Sequence, residues 1–165
     1  MATYSNYNPK IYNHFITPNS IWDDIKKYIP TDKVIWEPFY CNGQSGEYLS
    51  SLGFDVIHEP NVDFFTHDKG DVVISNPPFE TKKLILKRLV DIDKPFILLV
   101  PVSTICYNYS KILKDNIQLL IPSKRINFDR YNINTHELVP NTSTATFDCV
   151  FLCYKMGLES DIIFL

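Results

Sequence analysis

Asp71-Val72-Val73-Ile74-Ser75-Asn76-Pro77-Pro78-Phe79 reads as a short buried strand that is stopped by force. A residue before proline is pushed out of the helical region, and two prolines remove two backbone donors. The chain therefore leaves the sheet there, and at the exit it presents an amide side chain, carbonyls with no neighbouring N–H to satisfy them, and an aromatic ring. Those groups suit the gripping of a planar base by its exocyclic amine. The Asn76 side-chain oxygen and the Pro77 carbonyl can each accept from an NH2 group, drawing its nitrogen toward tetrahedral geometry and freeing the lone pair, while Phe79 stacks on the ring. An amine prepared this way needs only an electrophilic methyl in line, so positioning supplies most of the rate and no strong general base is required. The tetrapeptide is also compatible with a plain Asn-Pro turn, so its context decides.

With 165 residues, 45% of them hydrophobic, the chain is expected to form one globular domain over 1–165 with a real core. A net charge of -3 and a pI near 5.8 argue against a protein coated in basic residues, so any nucleic-acid contact is local. No apolar run approaches the ~20 residues of a membrane span. The polar start Met1-Ala2-Thr3-Tyr4-Ser5-Asn6 is no signal peptide, and an intracellular protein with no membrane partner is expected. Cys41, Cys106, Cys149 and Cys153 lack paired metal spacing and read as reduced, mostly buried thiols. His14, His58, His67 and His136 have no metal-ligand spacing either, and no metal site is expected.

In chain order, residues 1–14 form a Tyr- and Asn-rich N-terminal arm whose tyrosines pack on the body. Phe15-Ile16-Thr17-Pro18 leads into Ile21, Trp22, Ile25 and Ile29 at helical spacing, with Thr17 as the expected N-cap, Pro18 at the first helical position and Pro30 as the stop. A strand over 33–37 ends at Glu37 and opens into Pro38-Phe39-Tyr40-Cys41-Asn42-Gly43-Gln44-Ser45-Gly46. A helix through Tyr48, Leu49 and Leu52 follows, completing the first half of a doubly wound nucleotide site. A strand over 54–57 leads to Glu59, where a carboxylate can accept both hydroxyls of a ribose, and Val62-Asp63-Phe64-Phe65 comes four residues later. That link is too short for a helix, so the sheet is trimmed there.

Asn76-Pro77-Pro78-Phe79 resembles motif IV of the S-adenosylmethionine-dependent amino-methyltransferases, above all those that make N6-methyladenine. Phe15-Ile16-Thr17-Pro18 is similar to motif X, Glu37-Pro38-Phe39 to motif I with its glycines displaced to Gly43 and Gly46, Glu59 to motif II, and Asp63-Phe64 to motif III. Each acid alone reads as a surface carboxylate; all of them at strand ends, in the gamma order of that family, are hard to obtain by chance. The resemblance implies a Rossmann-like class I methyltransferase α/β fold, with a seven-stranded, mostly parallel sheet and an antiparallel last pair. It implies S-adenosylmethionine held by Phe15, Thr17, Pro18, Glu37, Phe39, Asn42, Gly43, Glu59, Asp63 and Phe64. Within that set Glu37 takes the methionine amine, Glu59 the ribose, and Asp63 and Phe64 the adenine. Catalysis falls to Asn76, Pro77, Pro78 and Phe79.

Beyond motif IV, 81–90 reads as a helix with Leu84, Ile85 and Leu89 inward and Lys82, Lys83, Lys87 and Arg88 outward. Residues 95–101, 117–121 and 146–154 are strands with a mixed helix over 104–113, and 131–144 is a long polar loop, a candidate substrate loop. Lys82, Lys124, Arg125 and Arg130 are candidate phosphate contacts. The expected partner is nucleic acid, DNA favoured over RNA, and no separate target-recognition domain is present within these residues. Specificity then falls to loops, to a homodimer or to a separate specificity subunit. A glutamine N5 protein methyltransferase, with its similar Asn-Pro-Pro-Tyr, and an inactive methyltransferase-like binding subunit are the alternatives. The bias toward Asn, Ile, Lys and Tyr matches AT-rich genomes, viral ones among them.

Overall fold

Strands covered on both faces are written as unbroken apolar runs, and three such runs form the middle of this protein. They are Val72–Ser75, Phe96–Pro101 and Cys149–Tyr154, every residue buried. The computed structural model describes residues 14–106, 110–113, 116–132, 135–139 and 147–165. Through them run β1 (His14–Ile16), α1 (Asn19–Ile25), a 3-10 turn (Lys26–Tyr28), β2 (Ile35–Trp36), α2 (Gln44–Ser51), β3 (Val56–Ile57), β4 (Val72–Ser75) and α3 (Lys82–Asp91). After these come β5 (Phe96–Pro101), α4 (Ser103–Cys106), α5 (Ser110–Leu113), β6 (Ile117–Ile121), β7 (Asp129–Asn132), β8 (Glu137–Val139), β9 (Cys149–Tyr154) and β10 (Ile162–Phe164).

The main sheet has seven strands in the order β10-β6-β9-β5-β4-β2-β3. All neighbours are parallel except at β9, which runs antiparallel to both β5 and β6. The expected antiparallel pair of 117–121 with 146–154 is therefore present, with Ile117 opposite Tyr154 and Leu120 opposite Phe151. Alternation along the strands sends side chains to two cores. Val72, Ile74, Ile97, Leu99 and Phe151 pack with Ile21, Trp22 and Ile25 of α1 and Leu49 of α2. Val73, Phe96, Leu98, Val150 and Leu152 pack with Ile85, Leu86 and Leu89 of α3 and Leu113 of α5. Cys149 and Cys153 lie in the first core, and burial pushes both thiols up to about 12. Cys41 and Cys106 are exposed, contrary to the expectation that the thiols are mostly buried.

Four local expectations are corrected. α1 begins at Asn19 with Pro18 as its N-cap, and Thr17 does not cap it; Pro18 takes the non-helical cap conformation, at ψ 139°, that a cap residue needs. On α3 the inward set is Ile85, Leu86 and Leu89, while Leu84 is exposed. At roughly 100° per residue the observed trio spans about 100° of helix surface and the expected one about 140°, and the narrower stripe fits the sheet. Of the mixed helix expected over 104–113, the described residues are helical, as α4 and α5, and residues 107–109 lie outside the described residues. Residues 129–139 contain a hairpin, β7 with β8, where a polar loop was expected, and β1 pairs with β7 to form a three-stranded antiparallel sheet. β10 is a strand that no sequence signal marked. The rest of the arm, 1–13, and residues 133, 134 and 140–144 of the candidate substrate loop lie outside the described residues.

Candidate active site

Glu37 follows β2, Glu59 lies just beyond β3 and Asn76 follows β4, and these are three neighbouring parallel strands. All three side chains therefore stand at the carboxyl edge of the sheet, where open α/β sheets bind ligands.

Glu37 is 1% exposed. Its Oε1 accepts from the Ser75 hydroxyl and from the Phe39 backbone N–H at 3.2 Å, whereas Oε2 is buried without a partner. Burial raises its pKa to about 7, against the opposing pull of the Ser75 and Phe39 hydrogen bonds. A buried carboxylate with one oxygen satisfied and one bare is built for a cation, because a positive partner repays the desolvation that two neutral donors do not. Ser75 immediately precedes Asn76, whose Oδ1 is likewise buried and unpartnered. Thr17 is 1% exposed, and freed from capping, its hydroxyl also lacks a partner.

The loop after Glu37 is organised by its own hydrogen bonds. Gly43 N–H donates to the Tyr40 carbonyl at 2.6 Å, and Asn42 Oδ1 accepts from Gln44 N–H at 3.2 Å. Gly43 sits at φ 84° as the N-cap of α2, a conformation that favours glycine. The displaced glycines have a local explanation. A Cβ at Gly43 would lie 2.8 Å from the Tyr40 hydroxyl, and one at Gly46 would lie 2.3 Å from the His58 ring. Tyr40 and His58 stack on each other, centroids 5.8 Å apart and planes 12° apart. The clearance these glycines create is used by the chain's own rings. Gly46→Ala is therefore expected to destabilise the fold by about 1–3 kcal/mol through overpacking, and His58→Ala in the same chain to restore most of the loss; thermal melts of the two single variants and the double variant measure this.

Glu59 is paired with Lys69. Asp63 Oδ1 accepts from Phe65 N–H at 2.9 Å, closing a turn on itself, and Phe64 is buried between Trp36 at 5.5 Å and Phe39 at 5.0 Å. These two side chains are thus engaged in holding their own segment.

On the other side of Asn76, Pro77 is buried and Pro78 half-buried. The Pro78 carbonyl accepts from Thr81 N–H at 3.3 Å, and the Lys82 ammonium donates to the Phe79 carbonyl at 3.1 Å. Lys82, expected on phosphate, pins this loop. The Phe79 ring lies in a cluster of four phenylalanines. It stacks on Phe15 at 6.3 Å and 25°, and meets Phe147 edge-on at 5.3 Å and Phe128 at 6.4 Å. β1 brings Phe15 there by pairing with β7, Phe15 opposite Arg130. Of the other candidate cations, Arg125 is ion-paired with Asp148 at 3.2 Å and Lys124 is exposed beside it.

The structure thus brings Glu37, Asn42, Gly43, Glu59 and Asn76 to one edge, with Thr17 two residues before Asn19, whose Oδ1 accepts from Gln44 Nε2 at 3.1 Å, and adds four residues that the sequence did not single out. Ser75 and Phe147 had detectable signals, a hydroxyl beside Asn76 and a ring at the start of an apolar strand. Tyr40 and His58 had none, since their partner glycines are distant in sequence or read as loop.

No protein-family model matches the chain, and no curated protein matches it. Among solved structures it is similar to the crystal structure of a dimethyladenosine transferase from Plasmodium falciparum, with a TM-score of 0.51 and 12% identity over 86% of this chain. The chain spans 62% of that protein's length. At this identity the likeness is one of fold, and the fold is the Rossmann-like α/β architecture of class I methyltransferases.

Proposed function

We propose that this chain transfers a methyl group from S-adenosylmethionine to the N6 amine of adenine in nucleic acid, with DNA as the first substrate to test. The observation that carries this is the pair of buried, unpartnered acceptors, Glu37 Oε2 and Asn76 Oδ1, at the ends of adjacent strands and linked through Ser75. One is suited to an ammonium and the other to a neutral NH2. Bound S-adenosylmethionine supplies an electrophilic methyl on sulfur. Glu37, and the free hydroxyl of Thr17 near it in the family's arrangement, would hold its methionine end, and Glu59 its ribose.

The residues of this chain do the rest. Asn76 Oδ1 and the Pro77 carbonyl accept the two N6 hydrogens, which localises the nitrogen lone pair for in-line attack. Pro78, whose carbonyl accepts from Thr81 N–H, and Phe79, whose carbonyl accepts from the Lys82 ammonium, keep the loop rigid. Once the nitrogen has gained the methyl it is strongly acidic and gives its proton to water, so no buried base is needed. Phe79 and its half-buried neighbours Phe15 and Phe147 offer ring surface to a base extruded from its stack, with the buried Phe128 packed behind them. Such a cage favours an aromatic acceptor over a glutamine side chain. The similar structure is that of a dimethyladenosine transferase, which also supports an adenine acceptor.

Tyr40 and His58 filling the glycine clearances favour a second reading, an inactive binding subunit. Incubation with labelled S-adenosylmethionine and duplex DNA, single-stranded DNA, RNA or protein extract separates the possibilities. N6-methyladenine in one nucleic acid is the expected product. Label in glutamine moves the activity to protein, and absence of label together with absence of cofactor binding by calorimetry assigns the binding role.

A further inference from the structure

Among the described residues, seven buried side-chain atoms that could hydrogen-bond find no partner in the protein. Buried polar groups are as a rule satisfied, so each exception calls for a reason. Four of the seven fall in one row. Glu37 Oε2, His58 Nδ1, Asn76 Oδ1 and Thr104 Oγ1 belong to residues that stand within three positions past the carboxyl ends of β2, β3, β4 and β5. Those strands are neighbours in the order β5-β4-β2-β3. Along the edge the bare atoms therefore run Thr104, Asn76, Glu37, His58. With Glu37 and Glu59 assigned to the cofactor and Asn76 to the acceptor amine, Thr104 lies at the acceptor's end of the row, on the far side of Asn76 from Glu37.

Thr104 is 1% exposed and sits in α4. Ser75 of β4 is level with Leu98 of β5, and β5 continues to Pro101. α4 therefore starts beyond the level of Asn76, outside the strand ends where open α/β sheets take ligands. The backbone fixes its approach. Val102 N–H donates to the Asp148 carbonyl at 2.9 Å and Ile105 N–H to the Val102 carbonyl at 3.0 Å. Asp148 adjoins Phe147, whose ring meets Phe79 at 5.3 Å. α4 thus leaves β5 beside the segment that supplies one ring of the phenylalanine cluster.

Asn76 Oδ1 and the Pro77 carbonyl only accept, and both are taken up by the N6 hydrogens. Adenine carries a ring nitrogen on either side of that amine, N1 and N7, and each is an acceptor that loses its partners when the base leaves its stack. A hydroxyl can donate to it, and a carbonyl cannot. We infer that Thr104 is a further acceptor-binding residue, its hydroxyl donating to a ring nitrogen beside the amine that Asn76 holds. This rests on the methyl transfer proposed above. Two contacts on N6 alone leave the ring free to pivot about that nitrogen within the plane of Phe79. A third contact, off the amine, stops the pivot and keeps the lone pair in line with the methyl.

The parent chain, Thr104→Val and Thr104→Ser are to be compared on random-sequence DNA and RNA, single-stranded and duplex, with every adenine intact or replaced by 1-deazaadenine or 7-deazaadenine. The parent is expected to methylate one of the two analogues about tenfold more slowly than adenine. Thr104→Val should slow transfer to adenine by a similar factor and lose most of the discrimination against that analogue. The second effect is one that a structural hydroxyl would not produce, and taking it as a ratio to the parent cancels the analogue's own reactivity. Serine, which keeps the hydroxyl, should restore both. Affinity for S-adenosylhomocysteine should stay within roughly threefold, and the melting temperature should not fall, because no group of the protein loses a hydrogen bond. A parent that methylates both analogues as fast as adenine overturns the inference without any variant. So does a valine variant that keeps the parent's rate or the parent's discrimination; in each of these results the parent is active and the underlying function stands. A parent that methylates no adenine removes that function, and this inference with it.

Discussion

Asn76→Ala is expected to reduce methyl transfer by a factor of about 10²–10³ while leaving the affinity for S-adenosylhomocysteine within roughly threefold of the parent. The two readouts separate because Asn76 is assigned to the acceptor amine and Glu37 to the cofactor. A third readout tests whether Asn76 is there for the fold. Its Oδ1 is buried and accepts no hydrogen bond from the protein, and an unsatisfied buried acceptor costs about 1–3 kcal/mol. Removing it should therefore leave the melting temperature unchanged or raise it, which is the sign expected of a residue kept for function at the expense of stability. Single-turnover kinetics, calorimetry and a thermal melt on one preparation make the comparison. Full activity in the variant, or a large fall in melting temperature, would remove Asn76 from the site and return Asn76-Pro77-Pro78-Phe79 to a structural turn.

The parts of this molecule that were legible in its sequence are those where one physical demand acts alone. β4, β5 and β9 are buried on both faces, so apolar residues fill them up to Ser75 at the end of β4, and each announces itself as an apolar run. The strand-end position of Asn76 follows from where the first of those runs stops, whereas Glu37 and Glu59 follow the two-residue strands β2 and β3. The small sheet was not legible, because His14–Ile16, Asp129–Asn132 and Glu137–Val139 are three or four residues long and polar at several positions. The pairing of β1 with β7 is set by contacts more than a hundred residues apart, Phe15 with Arg130 among them, and no local propensity encodes that. β10 escaped notice for a related reason. Three apolar residues behind Glu159, Ser160 and Asp161 look like an end of chain until β6 is beside them.

The site was half legible. Residue types and order pointed to Glu37 and Asn76, but not to the burial that leaves Oε2 of the one and Oδ1 of the other without a partner. Lys82 shows the limit most clearly. On a helical wheel it falls roughly 60° from Ile85, within the inward stripe, and its ammonium reaches back to the Phe79 carbonyl. Counting it as an outward cation ignored a carbonyl that two prolines had left in need of a donor. His58 was set aside for want of metal spacing, yet its ring is what the displaced Gly46 makes room for.

Glu37→Gln is expected to abolish cofactor binding and, above neutral pH, to stabilise the protein. The sign follows from the direction of the shift. The folded carboxyl titrates at about 7 where an ordinary glutamate titrates at 4.5, so between those values the native state holds a proton that the unfolded chain has released. Stability contributed by the neutral form is complete below the lower value and is lost as pH rises through the upper one, a cost on the order of 3 kcal/mol. Glutamine keeps the shape and cannot ionise, so its melting temperature should exceed that of the parent by several degrees at pH 8 and match it near pH 4.5. Binding runs the other way. A cationic amine needs the carboxylate, so below about 7 the parent must first release a proton, and its affinity should fall about tenfold per pH unit. Calorimetry in buffers of different ionisation enthalpy would register that proton directly near pH 6 and not at pH 8. If the glutamine variant binds as tightly as the parent, or if the affinity of the parent is flat from pH 6 to 8, Oε2 of Glu37 does not meet the cofactor amine. The bare oxygen would then be a cost to the fold with no ligand to offset it, and the inactive binding subunit would become the better account of this chain.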